Sequence, residues 1–81
     1  MDYLTLTPFH MAMALKDRRK EMGLTQKETA DRIGMLPKTV SALESHPERC
    51  TVESLFKLIS ALELEITLLP KHKEDISEEV W

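Results

Sequence analysis

Apolar residues recur with a helical period in four stretches of this 81-residue chain and switch to alternation once, near its end. The first stretch, over 8–22, carries Phe9, Ala12, Met13, Leu15 and Met22, which follow a 3.6-residue period only roughly. Thr7 and Pro8 read as an N-cap and a proline at the first helical position, where the missing N–H costs nothing. Gly23 ends this helix, and Arg18, Arg19 and Lys20 suit the negative end of its dipole. A second helix is predicted over 26–33, because Thr25 can cap it and Glu28 completes a capping box. Ala30 and Ile33 mark its apolar side. Gly34 can adopt positive φ without steric cost and so stop it. Pro37 opens a third helix over 37–44, with Val40 and Leu43 turned inward and Lys38, Ser41, Ala42 and Ser45 outward.

Residues 45–50 read as a loop in which Pro47 holds His46 out of the helical region. Thr51 can cap a fourth helix whose Val52, Leu55, Phe56, Leu58, Ile59 and Leu62 form a wide apolar face. Over 64–69 the period becomes two: Leu64, Ile66 and Leu68 alternate with Glu65, Thr67 and Leu69, and Pro70 closes the run. This predicts a strand. A lone strand leaves its ladder groups unpaired, so it is expected to pair with the same strand of a second chain or with residues 3–6. The expected organisation is an N-terminal arm over 1–7, one domain over 8–70 with a dimerisation strand at 64–69, and a flexible acidic tail over 71–81 that ends in Trp81.

The second and third helices, joined by a tight turn, form a helix-turn-helix, and the small polar outer face of the third suits a DNA groove. A chain this short has room for a single marginal core, and dimerisation would strengthen it. With 42% apolar residues and 5% aromatic, that core is built of Leu, Ile, Met and Ala. The single cysteine, Cys50, allows no intramolecular disulfide and suits a reducing cytosol. No apolar run approaches the ~20 residues of a membrane span. No basic region with an apolar core opens the chain as a secretion signal does. A soluble cytoplasmic protein is expected.

The net charge of −3 argues against DNA until it is divided. Residues 1–50 carry eight Lys or Arg against seven Asp or Glu, whereas residues 51–81 carry three against seven. The acidity therefore lies away from the helix-turn-helix, although no strongly basic patch appears either. Chemistry of other kinds lacks its parts. His10, His46 and His72 are scattered without ligand spacing to Cys50. No glycine-rich phosphate loop and no nucleophile with a nearby base is present. Met11, Met13, Met22 and Met35 read as core filler. A binding protein is expected, with no enzymatic activity, metal or cofactor.

Residues 12–62 resemble the Xre/lambda-repressor-like (Cro/C1-type) helix-turn-helix family. The resemblance is carried by Leu15, Arg19, Gly23, Leu24, Thr25, Gln26, Ala30, Ile33, Gly34, Val40, Ser41, Leu43 and Glu44. It implies a mainly α domain of four to five helices with a C-terminal β-strand that pairs across a homodimer. It puts Gln26 against the DNA backbone, Lys38 and Ser41 at base edges, and Lys27 and Thr39 at phosphates, which position a protein without reading sequence. It also pairs Arg19 with Glu44 as a structural tie between the first and third helices. Leu36 stands where the family usually has a polar cap residue, which forfeits about 1 kcal/mol of capping. Pro37 stands where a base-reading glutamine is common. Readout then leans on apolar contact with a thymine methyl and on Lys38, so Leu36 and Pro37 join the DNA-facing set. Thr29 replaces a usual leucine, and Arg18 holds a position that is often apolar.

A narrower resemblance, to the HipB-type antitoxins, rests on Thr7-Pro8 at the start of the first helix, the loop after the third, the 64–69 strand and the terminal Trp81 behind an acidic tail. It implies a homodimer joined by an intersubunit two-stranded sheet, built on Leu64, Ile66 and Leu68. It implies repression of the protein's own operon at a palindromic operator. It further implies binding of a HipA-like serine/threonine kinase toxin, as one chain or as a kinase split into two, with Trp81 docking into it. Two alternatives stay open at this point. One is a stand-alone or phage-type repressor with no toxin partner. The other is an adaptor that keeps the fold without binding DNA.

Overall fold

The computed structural model describes residues 7–70; residues 1–6 of the expected arm and the expected tail over 71–81 with Trp81 lie outside them. The chain forms α1 (Pro8–Glu21), α2 (Gln26–Arg32), α3 (Pro37–Ser45) and α4 (Val52–Ala61), with a 3-10 turn at Pro47–Arg49 between α3 and α4. Local chemistry sets the starts. The Thr7 hydroxyl accepts the His10 N–H at 3.1 Å, and Pro8 takes the first helical position. At α2 the Thr25 hydroxyl accepts the Glu28 N–H at 3.0 Å while the Glu28 carboxylate accepts the Thr25 N–H at 2.8 Å, which is the capping box. Thr51 caps α4 by accepting the Ser54 N–H at 3.0 Å. Leu36 caps α3 with no side-chain hydrogen bond. Gly23 and Gly34 end the first two helical segments at φ +73° and +65°, a region that a Cβ disfavours. Helices α1 and α2 stop one residue short of the sequence expectation and α3 runs one residue longer, the usual play at frayed ends.

All four helices meet in one core of Leu15, Ala30, Val40, Leu43, Leu58, Ile59 and Leu62, with Met11, Met22 and Met35 packed at its edge. Thr29 is fully buried, and its hydroxyl donates to the Thr25 carbonyl at 2.9 Å, so a polar group sits in the core without an unsatisfied donor. The structure corrects the reading of the first helix. Phe9 and Met13 stay exposed at 64% and 47%, while Ala12, Ala14, Leu15 and Arg19 are buried. At 100° per residue Met11, Leu15 and Met22 share the inward stripe, whereas Phe9 and Met13 fall on the outer side with Lys16 and Lys20. On α3, Ser41 and Ala42 are half-buried and only Lys38 and Ser45 of the expected outer set are exposed.

The expected strand over 64–69 does not form among the described residues. Ladder hydrogen bonds need a second strand, and the described part of a single chain holds none. No helix among the described residues is long and apolar enough to cross a membrane.

Candidate nucleic-acid interface

The helix-turn-helix is held from beneath by one buried carboxylate. Glu44, near the end of α3, has a side chain only 4% exposed. Its Oε2 accepts from Arg19 Nε at 2.6 Å, and its Oε1 accepts from Arg19 Nη2 at 3.1 Å, a two-pronged pairing that fixes the plane of both groups. Arg19 Nη1 donates to the Leu24 carbonyl at 2.8 Å, which ties α1 to the turn before α2. Gln26, the first residue of α2, donates from Nε2 to Glu44 Oε1 at 3.1 Å. Three helices thus converge on a single acceptor. The Gln26 amide has a second N–H, so the contact that orients it leaves a donor for another acceptor.

The remaining DNA-facing candidates lie on the adjoining surface. Met35 N–H donates to the Ala30 carbonyl at 3.0 Å and closes the turn, so α3 packs directly on α2. Leu36 is 59% exposed at the cap of α3, with Pro37 exposed after it. Pro37 has no N–H and no acidic residue occupies the first turn of α3, so this end presents the positive pole of the helix dipole without a competing charge. Lys38 is exposed and forms no ion pair among the described residues. Thr39 is half-buried and its N–H donates to the Leu36 carbonyl at 2.9 Å. Lys27 pairs with Asp31 at 3.0 Å, with both side chains more than half exposed, an interaction weak enough to yield to a phosphate.

The candidate dimerisation residues separate. Leu64 is half-buried against its own core, and its N–H donates to the Ile59 carbonyl at 3.1 Å. Ile66 and Leu68 are exposed, at 39% and 90%. With Phe56, Ile59, Ser60, Glu63, Leu64 and Glu65, Ile66 lines an open groove of about 530 Å³ along α4. In the sequence Gln26 and the Arg19–Glu44 pair stand as separate features. The spacing of Gln26 and Glu44, 18 residues apart, gave no sign of their contact.

Comparison with known proteins agrees with this geometry. The Helix-turn-helix family model matches residues 15–69. Antitoxin HipB of Escherichia coli is 39% identical over 62 residues, which cover 76% of this chain and 70% of that protein. Among solved structures, a HipB-O4 20mer complex superposes with a TM-score of 0.84 at 34% identity, covering 88% of this chain and all of the other. A HipA-HipB-O2-O3 complex matches with the same TM-score, identity and coverage. With the helix-turn-helix match spanning most of the described domain and HipB likeness extending over most of the chain, the protein belongs to the HipB antitoxin family of helix-turn-helix proteins.

Proposed function

We propose that the protein is a homodimeric DNA-binding antitoxin that represses its own toxin–antitoxin operon and binds a HipA-like serine/threonine kinase toxin. The observation that carries the reading is the buried Glu44 beneath Arg19 and Gln26, which holds the start of α2 against α3 and leaves Leu36, Pro37 and Lys38 outward on one surface. A groove-reading element needs that rigidity, since a base contact depends on placement to within a fraction of an ångström. Gln26, Lys27 and Thr39 then meet phosphates, and Leu36, Pro37, Lys38 and Ser41 face bases. The likeness of this chain to HipB in its complexes with HipA and with operator DNA supports the two partners. The exposed Phe56, Ile66, Leu68 and Leu69 support self-association, because a small monomer rarely leaves such a patch to water. The protein acts by binding, as a cytoplasmic regulator and not as an enzyme.

The test is co-purification of the tagged chain with the products of its own operon, combined with a footprint on the promoter. A kinase in the purified complex and a palindromic footprint are expected. A footprint without a kinase would make the protein a stand-alone repressor, and a kinase without a footprint would make it an adaptor.

A further inference from the structure

The C-terminal end of α4 is held by two arginines from other helices. Arg18, on α1, donates from Nε to the Leu62 carbonyl at 3.0 Å. Arg32, the last residue of α2, donates from Nη1 to the Ala61 carbonyl at 3.0 Å. The final carbonyls of a helix have no partner within it, and α4 has no basic residue of its own in its last turn. The two guanidiniums fill that gap from outside. The chain then leaves the helix by a paired turn in which Glu63 N–H donates to Ser60 O at 3.0 Å and Leu64 N–H to Ile59 O at 3.1 Å. Glu63 stands at φ +57°, in the left-handed region, where this turn usually has glycine. Its carboxylate lies 3.6 Å from Arg32. The segment that follows carries the exposed Ile66, Leu68 and Leu69.

We infer that Arg18 and Arg32 are positioning residues that set the spacing of operator half-sites this protein accepts. The inference rests on the proposed reading of a dimer joined through residues 64–69. In such a dimer the direction in which the chain leaves α4 fixes where the second recognition helix lies. Recognition helices of a dimer sit about 34 Å apart, so each is about 17 Å from the dyad. A tilt of roughly 10° at the exit displaces it by about 3 Å at that radius, close to the 3.4 Å rise of one base pair. Arg32 links the exit directly to α2, and Arg18 links it to the helix that anchors Glu44 through Arg19. The two contacts therefore make the dimerisation segment and the DNA-reading helices one rigid unit.

The experiment uses the full chain. An operator is first selected by the wild-type protein from a pool of random DNA duplexes. Binding is then measured by fluorescence anisotropy on that operator, on versions with one base pair added or removed between half-sites, and on an isolated half-site. The wild type should lose at least tenfold on either altered spacing. Arg32→Met and Arg18→Met should each cut this discrimination to about threefold or less, with half-site affinity unchanged within twofold, and Arg32→Lys should restore most of it. A core variant, Val40→Ala, serves as a control for general loss of stability and should keep the wild-type discrimination. Discrimination retained by both methionine variants, or lost equally by Val40→Ala, would overturn the inference. A dimeric wild type that is indifferent to spacing would overturn it as well, whereas a monomeric wild type would instead remove the dimer reading on which it rests.

Discussion

Replacing Glu44 by alanine removes the acceptor for two Arg19 donors and for Gln26 at one stroke. The Arg19 side chain is only 10% exposed, so its charge stays largely desolvated once the carboxylate is gone, and one hydrogen bond to Leu24 O at 2.8 Å remains. Breaking a buried pair in this way costs about 3–5 kcal/mol, because the surviving charge stays desolvated and unpaired. A chain of this length has a stability of about 4–12 kcal/mol, so Glu44→Ala removes roughly a quarter or more of it. At 4–8 °C per kcal/mol, a loss of 3 kcal/mol lowers the melting temperature by about 12–24 °C. Urea denaturation at fixed protein concentration measures the free energy directly, provided that all variants are compared at the same concentration of dimer. The double variant Arg19→Met with Glu44→Leu removes both charges and should return to within about 2 kcal/mol of the wild type. Its operator affinity should stay low, because Gln26 has lost the contact that orients it. A cost below 1 kcal/mol for Glu44→Ala would refute the reasoning, and so would a double variant as unstable as the sum of the two singles.

Lys38→Ala should weaken operator binding by about 1–3 kcal/mol while leaving binding to random DNA nearly unchanged. Equal losses on both DNAs in a filter-binding titration would make Lys38 a phosphate contact. Ile66→Pro should yield monomers at micromolar concentration by sedimentation, since proline lacks the ladder donor and fixes φ; an intact dimer would place the interface on α4 itself. Trp81→Ala should weaken kinase binding by ~2 kcal/mol in calorimetry with DNA binding unaltered, as expected of an aromatic anchor on an acidic tail. Equal affinities would move the kinase contact to the folded domain.

The helix boundaries were legible in the sequence because capping acts over three or four residues. Thr7, Thr25 with Glu28, and Thr51 name the starts, and each makes the hydrogen bond its type and position imply. Gly23 and Gly34 name the turns for the same local reason. The inward stripe of α3 followed from the spacing of Val40 and Leu43, both essentially buried. The tie between Arg19 and Glu44 was available through family likeness, not through periodicity. In α1 the pattern was weak, because apolar residues lie on two sides, and Phe9 and Met13 gave no local sign of which side would face the core.

What the sequence determined by itself, then, was the helix-turn-helix and the residues that start and stop it, since those choices are decided between near neighbours. The tertiary structure alone decided where long side chains end. Arg18 reaches a carbonyl 44 residues away and Arg32 one 29 residues away. A backbone carbonyl belongs to every residue type, so no pattern of letters marks it as the acceptor. The same holds for the join of Gln26 to the Arg19–Glu44 pair. It holds also for the exit at Glu63, which places Leu64 against its own core and leaves Ile66 and Leu68 outward. An alternating pattern predicts a strand, but its hydrogen bonds are made only with a second strand, and that partner is not written in the segment itself.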